Sequence, residues 1–388
     1  MIADTQKTKS VRLDFLDGIR GLSALYVVLY HTIPSQAVEG ASAQHALVRK
    51  LTFPIHQGHL AVAIFIVLSG YCLMLPVAKS TDGQLRDGAL NYIKRRARRI
   101  LPTYYAALLL SFAISTFWVR QGWVMNPLDT DKLNLLAHVG LVHNLIWDYA
   151  ISMNAPLWSV AMEWQIYFLL PLLLLPLWRK LNSVVPIVVG LLLGLAPLAL
   201  YYAKILKLGH TLWWTFPWYI GLFAMGMAAA SIGFSERDNE PRWRDNLNWP
   251  LLSLLSLVLC GVVRLKIGAK LIPEIWMCDI LMGLAAACFI LACANKVMQK
   301  PHGISDIVVQ ALSAKPLQKL GSFSYSLYLI HVPVLTILVL VDRAMQLDPV
   351  NRPLITTLTH LIIGPAIALP AAYGFHLLFE KPFQRKSI

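Results

Sequence analysis

Arg20 and His31 are two ionisable residues in one apolar stretch, DGIRGLSALYVVLYHT at residues 17–32. In an α-helix their spacing corresponds to about three turns and a rise of roughly 16 Å, so both side chains fall on one face. Ionisable side chains inside a membrane span usually face a cavity or a partner, because exposure to lipid is costly. We therefore expect a functional site along this face, with a titratable imidazole and a permanently charged guanidinium.

The composition indicates that the helix carrying these residues is embedded in lipid. The 388 residues are 57% hydrophobic and only 14% charged, with a mean hydropathy of +0.59. These values lie outside the usual range of soluble globular domains. The expected fold is therefore all-α, that of a polytopic membrane protein.

Ten apolar stretches are long enough to cross a bilayer as helices of about 20 residues. They lie near residues 18–38, 59–79, 100–120, 157–178, 183–203, 212–233, 249–264, 274–294, 320–341 and 353–378. An even number of crossings puts both termini on one side, and the loops on that side carry about twice as many Lys and Arg residues. Both termini are therefore expected to be cytoplasmic. Topology thus accounts for the net charge of +14 without a nucleic-acid partner.

A further apolar stretch at residues 132–150 carries Lys132, His138, His143 and Asp148, too many polar groups for a lipid-facing span. We interpret it as a helix on the outer face or a re-entrant segment. Its two histidines either form local hydrogen bonds or line a substrate path.

Two further groups of polar residues lie in or beside apolar spans. Glu163 lies in LWSVAMEWQIYF, where a carboxylate must be neutral, paired or in contact with water. Four arginines precede the third predicted span in RRARRILPTYY, at positions 95, 96, 98 and 99. No convincing metal site is visible, since His56 and His59 form only an isolated HxxH. No glycine-rich phosphate loop precedes a helix either, so ATP-driven work is not expected.

Six sequence blocks occur in the order and spacing of the acyltransferase-3 family of integral membrane acyltransferases. They are LDFLDGIRGLSALYVVLYH (13–31), FIVLSGYCL (65–73), RRARRILPTYY (95–105), LWSVAMEWQIYFLLP (157–171), GSFSYSLYLIH (321–331) and FEKP (379–382). The chain resembles this family from about residue 13 to 382. The resemblance implies a single acyltransferase domain within residues 1–388, without an appended soluble domain, in a bacterial-type inner membrane.

The reaction implied by the resemblance is transfer of an acyl group, with acetyl expected, from cytoplasmic acyl-CoA to a hydroxyl. The acceptor would be a surface or exported glycan or a related lipid-linked molecule. Acyl-CoA would then be a co-substrate, with no tightly bound cofactor. The remaining partners would be membrane lipids.

The resemblance assigns the reaction centre to three residues. His31 is expected to be the catalytic base, with a transient acyl-imidazole as the less favoured role. Arg20 would hold a phosphate or the carbonyl of the donor, or else be an interfacial arginine whose charged end reaches water. Glu163 would orient His31 or contact the acceptor, or else form a structural hydrogen bond.

The resemblance also suggests residues for the donor and the substrate path. Candidate donor-binding residues are Arg95, Arg96, Arg98, Arg99 and Tyr104. The arginines are equally compatible with anionic lipid head groups or with topology alone. Candidate substrate-lining residues are Trp158, Ser159, Tyr325 and His331. Trp158 also fits an interfacial aromatic belt, and the serines of GSFSYS fit helix packing.

Two other classes of function compete with the acyltransferase hypothesis. A transporter or permease for acyl or glycan substrates would also place polar groups within its spans. It should show paired half-repeats with matching broken helices, and the sequence has none that we detect. A scaffold or receptor would leave the Arg20 and His31 spacing unexplained.

Overall fold

The computed structural model describes residues 13–121, 131–205, 215–235, 237, 240–267, 275–299 and 306–384. Within these ranges all regular secondary structure is helical, which confirms the all-α prediction. Both chain termini, and the first residues of the span predicted at 212–233, lie outside the described residues.

Seven helical segments of the described chain are long and apolar enough to cross a membrane. They are Ala43–Ala78, Gly88–Trp118, Leu157–Lys180, Val184–Tyr202, Ile275–Gln299, Ser324–Ala344 and Pro353–Phe383. Two shorter apolar helices, Tyr219–Phe234 and Trp249–Leu265, occupy the sixth and seventh predicted spans. The chain is thus a multi-pass membrane protein, while the count of ten spans and the side of the termini remain predictions.

The helices are labelled here in chain order. The first nine are α1 Phe15–His31, α2 Ser35–Glu39, α3 Ala43–Thr52, α4 Gly58–Ala78, α5 Gly88–Arg120, α6 Lys132–Val139, α7 Leu157–Leu169, α8 Leu175–Lys180 and α9 Val184–Tyr202. The rest are α10 Tyr219–Phe234, α11 Trp249–Ile267, α12 Ile275–Gln299, α13 Ile307–Leu312, α14 Lys315–Ser322, α15 Ser324–Leu335, α16 Leu338–Ala344 and α17 Pro353–Phe375. A wider turn, Leu170–Leu174, joins α7 to α8, and another, His376–Glu380, follows α17.

The first helix is shorter at its C-terminal end than the predicted span of residues 18–38. α1 ends at His31, and α2 begins as a separate helix after Pro34. Proline lacks an N–H and disfavours helical geometry in the residue before it, and Pro34 itself has an extended backbone with ψ of 133°, so the helix ends before this position. Arg20 and His31 nevertheless lie on one helix, as the spacing predicted.

The arginine cluster is part of a helix and not of a loop before it. α5 starts at Gly88, well before the predicted start of the span at residue 100, and runs to Arg120. The arginines therefore lie on turns at the N-terminal end of this long helix, directly before its apolar part.

Close backbone contacts at glycines determine which helices meet at the site. A Cβ added at Gly321 of α14 would collide with the carbonyl oxygen of Asp17 on α1. Gly70 on α4 has the same relationship to the carbonyl oxygen of Phe223 on α10. Because only glycine permits this approach, the GSFSYSLYLIH block is held against the first half of α1.

The stretch at residues 132–150 forms the short helix α6 and a single turn at His143–Leu145, neither of which is long enough to cross a bilayer. The rings of His138 and His143 are buried and stack at 3.8 Å between centroids. His138 Nδ1 lies 3.0 Å from the Asn134 carbonyl oxygen. Burial lowers the pKa of His138 to about 4 and that of His143 to about 2.

Candidate active site

Two adjacent cavities enter the helix bundle from the end that carries the arginine cluster. The larger one, here the outer vestibule, has a volume of 860 Å³, and the smaller one, the inner cavity, has a volume of 120 Å³. The residues that line both cavities are Arg20, Arg96, Arg99, Ser324 and Tyr325. These shared walls make the two spaces consecutive parts of one passage.

All four arginines of the cluster line the outer vestibule. Side chains at successive positions of a helix point in different directions, but the vestibule is wide enough to reach all four. Arg95 is paired with Asp87, with 3.0 Å between Nη1 and Oδ2. Within the described ranges no carboxylate pairs with Arg96, Arg98 or Arg99, and the buried Nε of Arg96 has no hydrogen-bond partner.

Arg20 lies where the vestibule narrows into the inner cavity. Its Nη1 donates to Asp17 Oδ1 at 2.9 Å, and its Nη2 donates to Cys72 Sγ at 3.3 Å. Asp17 is one turn earlier on α1, whereas Cys72 projects from α4. These contacts fix the guanidinium plane beside the passage.

Glu163 also lines the inner cavity, on the wall formed by α7. Its Oε1 accepts hydrogen bonds from the hydroxyl of Ser69 and from that of Tyr167, the latter at 2.6 Å. No contact with His31 is among its described interactions. The carboxylate thus shares a cavity with Arg20, Arg96 and Arg99, whose positive charges surround it.

Ser159 and Tyr328 close the far end of the inner cavity. Ser159 Oγ lies 2.7 Å from the Tyr328 hydroxyl, and the ring of Phe65 packs edge-on against Tyr328 with 5.7 Å between centroids. Tyr325, one turn earlier on α15, lines both cavities and donates to the Ile100 carbonyl oxygen at 3.3 Å.

His31 lies beyond this closure and is absent from the described walls of both cavities. Its Nδ1 is 3.1 Å from Nε2 of His331, and the ring of His331 is 5.9 Å from that of Tyr328 between centroids. His331 is fully buried, whereas His31 is half-buried. The structure therefore brings His31 together with His331, and Arg20 together with the arginine cluster and Glu163.

Like His31, the predicted substrate-lining residue His331 is absent from the described walls of both cavities. Two further predicted site residues also lie away from the passage. Tyr104 is buried and donates from its hydroxyl to the His138 carbonyl oxygen at 2.8 Å. Trp158 is also buried and stacks on Phe216 with 4.3 Å between ring centroids. Neither residue is among the described lining residues of the two cavities.

Sequence reasoning did not assign Glu380, which lines the outer vestibule. Its Oε2 accepts from Ser326 Oγ at 2.6 Å and lies 2.9 Å from His376 Nδ1. The available signal was a carboxylate in the FEKP block with a histidine, His376, one helical turn earlier. Among the described side chains, no group of three or more His, Cys, Asp or Glu residues could hold a metal ion.

The sequence profile of a family described as an acyltransferase domain matches residues 13–377. The chain belongs to the acyltransferase-3 family. This match confirms the resemblance inferred from the six sequence blocks. No solved structure matches the chain.

Three named relatives of this acyltransferase-3 protein, which match most of its length, are each less than 25% identical to it. YrhL of Bacillus subtilis, named provisionally as a peptidoglycan O-acetyltransferase, is 22% identical over 95% of this chain and 54% of its own length. Acyltransferase MdmB of Streptomyces mycarofaciens is 24% identical over 84% of this chain and 79% of its own. Peptidoglycan O-acetyltransferase OatA of Listeria monocytogenes is 23% identical over 83% of this chain and 49% of its own length. The chain thus spans about half the length of two of these relatives.

Proposed function

We propose that this protein is a membrane O-acyltransferase that moves an acetyl group from cytoplasmic acyl-CoA to a hydroxyl of a surface or exported glycan. The observation that carries the proposal is a single passage. It begins at guanidinium groups, three of which have no carboxylate partner within the described part of the chain, narrows to a small cavity and ends one helical turn from a pair of histidines.

The outer vestibule is suited to the polyphosphate part of acyl-CoA. Guanidinium groups bind phosphate oxygens in a planar, often bidentate manner. Arg96, Arg98 and Arg99 would supply this contact, because they line the vestibule and no carboxylate within the described ranges is paired with them. The excess of basic residues at this end supports a cytoplasmic position, as in a ten-span topology with both termini inside.

The inner cavity would receive the acyl thioester. Arg20 would hold a phosphate or the carbonyl of the donor where the passage narrows, before the acyl group moves on toward His31. Glu163 offsets part of the positive charge of the three arginines that share this cavity. A volume of 120 Å³ favours a short acyl group such as acetyl.

His31 would accept the proton of the acceptor hydroxyl. It lies on the side of the Tyr328–Ser159 contact away from the vestibule, so the acyl carbonyl must pass Tyr328 before transfer. A glycan acceptor is supported by the names of YrhL and OatA, which specify peptidoglycan. The family match gives the alternative transport function no support.

The test compares cell-envelope glycans and lipids by mass spectrometry in cells with and without the protein. Wild type, but not His31→Ala, should add a mass of one acetyl group to a glycan hydroxyl. The comparison requires equal amounts of both proteins in the membrane. An unchanged envelope in all strains, with the wild-type protein present in the membrane, would contradict the proposal.

A further inference from the structure

His31 and His331 contact each other across α1 and α15. His331 Nε2 lies 3.1 Å from His31 Nδ1, and the ring centroids are 4.9 Å apart with the planes inclined at 58°. The two residues are separated by 300 positions in the chain. The hydrogen-bond partners of each ring determine which ring nitrogens carry protons.

The position of the proton on His331 follows from its surroundings. Its Nδ1 lies 2.8 Å from the carbonyl oxygen of Tyr328 and 3.1 Å from that of Leu327. Carbonyl oxygens only accept hydrogen bonds, so Nδ1 must carry the proton. A neutral His331 then has its lone pair on Nε2, which points at His31.

The same reasoning places the proton on His31. Its Nδ1 faces the Val27 carbonyl oxygen at 2.9 Å and the lone pair of His331 Nε2. Both are acceptors, so Nδ1 of His31 must be the protonated nitrogen. Its Nε2, which makes no hydrogen bond within the described part of the chain, is left with the lone pair that a base requires.

We propose that His331 is a positioning residue that holds His31 in the Nδ1–H tautomer and stabilises the imidazolium formed during transfer. This inference rests on the proposed function. It gives His331 the task that a carboxylate performs for the histidine of a hydrolytic triad. The described contacts of both rings include no carboxylate that could do so instead.

The proposed step balances as follows. The acceptor hydroxyl gives its proton to His31 Nε2 while its oxygen forms a bond to the acyl carbonyl carbon. The thioester carbon–sulfur bond then breaks, and the leaving thiolate takes the proton from Nε2. His331 remains neutral throughout and retains its Nδ1–H.

The turn of α15 that carries His331 is held by a further contact. Pro333 has no N–H, so the carbonyl oxygen of Leu329 lacks its usual helical donor. Asn154 Nδ2 donates to this oxygen at 2.8 Å and to Ser111 Oγ at 3.0 Å. These bonds fix the helix at the point from which His331 projects.

The first test is the tautomer itself, measured by solid-state NMR of ¹⁵N-histidine-labelled full-length protein in phosphatidylglycerol and phosphatidylethanolamine vesicles. The His31 signal is identified by its loss in His31→Ala. We expect a protonated Nδ1 and an unprotonated Nε2 at neutral pH. A His31 protonated on Nε2 in the wild-type protein overturns the inference without reference to activity.

The second test is a series of substitutions at His331, assayed as acetyl-CoA consumption in the same vesicles. At position 331, glutamine places its amide oxygen near the position that Nε2 of His331 occupies, so it can still accept a hydrogen bond from His31. Asparagine is shorter and reaches only the position of Nδ1, and leucine offers no acceptor. We expect kcat to fall about 100-fold in His331→Leu and His331→Asn, with an unchanged KM for acetyl-CoA, and to recover at least 10-fold in His331→Gln. His360→Gln, a buried histidine paired with Asp342 elsewhere, is the matched control and should retain wild-type kcat.

The outcomes separate this inference from the proposed function. Undiminished acetyl-CoA consumption in His31→Ala contradicts the function proposed for the site. Loss of activity in His31→Ala with wild-type kcat in His331→Leu contradicts only the role of His331. The role of His331 is also contradicted if kcat falls equally in all three His331 variants while His31 keeps its proton on Nδ1 in His331→Leu.

Discussion

The Tyr328 hydroxyl lies 2.7 Å from Ser159 Oγ and joins α15 to α7 at the closed end of the inner cavity. His331 lies three residues further along α15 and contacts His31. One turn of one helix therefore separates the donor passage from the proposed base. This arrangement makes α15 the element through which the two parts of the site are coupled.

The size of the inner cavity predicts selectivity for short acyl groups. We expect wild type to use acetyl-CoA better than butyryl-CoA, because added methylenes have no room beside Phe65 and Tyr328. Phe65→Ala should reduce this preference about 10-fold, within the range that one or two methylenes contribute in a tight pocket. The measurement is kcat/KM for both donors.

The matched control for this prediction is Phe289→Ala, which opens space on the other side of the bundle, in a separate apolar cavity. It should leave the ratio of the two donors unchanged. An unchanged ratio in Phe65→Ala would show that this ring does not limit the acyl group.

The vestibule predicts a charge-dependent affinity for the donor. Arg99→Ala should raise the KM for acetyl-CoA about 10- to 100-fold, because a hydrogen bond to a charged group contributes about 1.5–3 kcal/mol. Added salt should raise the KM of wild type more than that of the variant. The measurement is the KM at low and high salt.

Arg86→Ala is the control, since Arg86 lies at the same end of the molecule but its side chain is 88% exposed. It lies outside the described lining of the vestibule. A KM that rises equally in both variants would indicate a general surface-charge effect and not a donor site.

The periodicity of α1 was sufficient to predict that Arg20 and His31 share a helix face. It was insufficient to identify the helices that pack on that face, because this depends on close contacts between distant glycines such as Gly321 and the Asp17 backbone. The pairing of His31 with His331 and the separation of Glu163 from His31 are consequences of that packing. These two relationships between distant residues cannot be predicted from the residue pattern within one helix.

The contacts of some residues in the structure differ from those that their sequence positions suggested. Tyr104 follows the arginine cluster closely, but it lies on a turn of α5 that faces α6 and donates to the His138 carbonyl oxygen. Glu380 lies far from Ser326 in sequence, and only the return of the chain after α17 brings them together. The span predicted at 18–38 ran through Pro34, although this proline is a local signal for the end of α1.

The stacked pair of His138 and His143 predicts loss of stability in acid. Burial lowers both folded pKa values below the unfolded value of about 6.5, to about 4 and about 2. Stability is therefore greatest above pH 6.5 and declines as pH falls from there toward 4, by about 1.4 kcal/mol per pH unit for each histidine, because the unfolded chain binds the additional protons.

His143→Phe keeps an aromatic ring in the stack but cannot bind a proton. Thermal unfolding in detergent between pH 7 and 4 should therefore depend less steeply on pH in this variant than in wild type. Identical slopes for the two proteins would exclude His143 as a source of the acid sensitivity.

Glu380 is predicted to hold the end of the chain after α17 to α15. Glu380→Ala removes the acceptor of Ser326 and His376 at a buried position, so we expect a loss of about 3 kcal/mol. Glu380→Gln keeps an acceptor oxygen and should lose less. The measurement is the unfolding free energy of the purified proteins, and equal stability of wild type and Glu380→Ala would contradict the assignment.

The measurement that tests the central claim most directly is release of free CoA from acetyl-CoA by purified protein in vesicles supplied with a peptidoglycan fragment. We predict that wild type releases CoA and acetylates the fragment, and that His31→Ala inserts normally but loses at least 100-fold in rate. A His31→Ala protein that consumes acetyl-CoA at the wild-type rate would contradict the account.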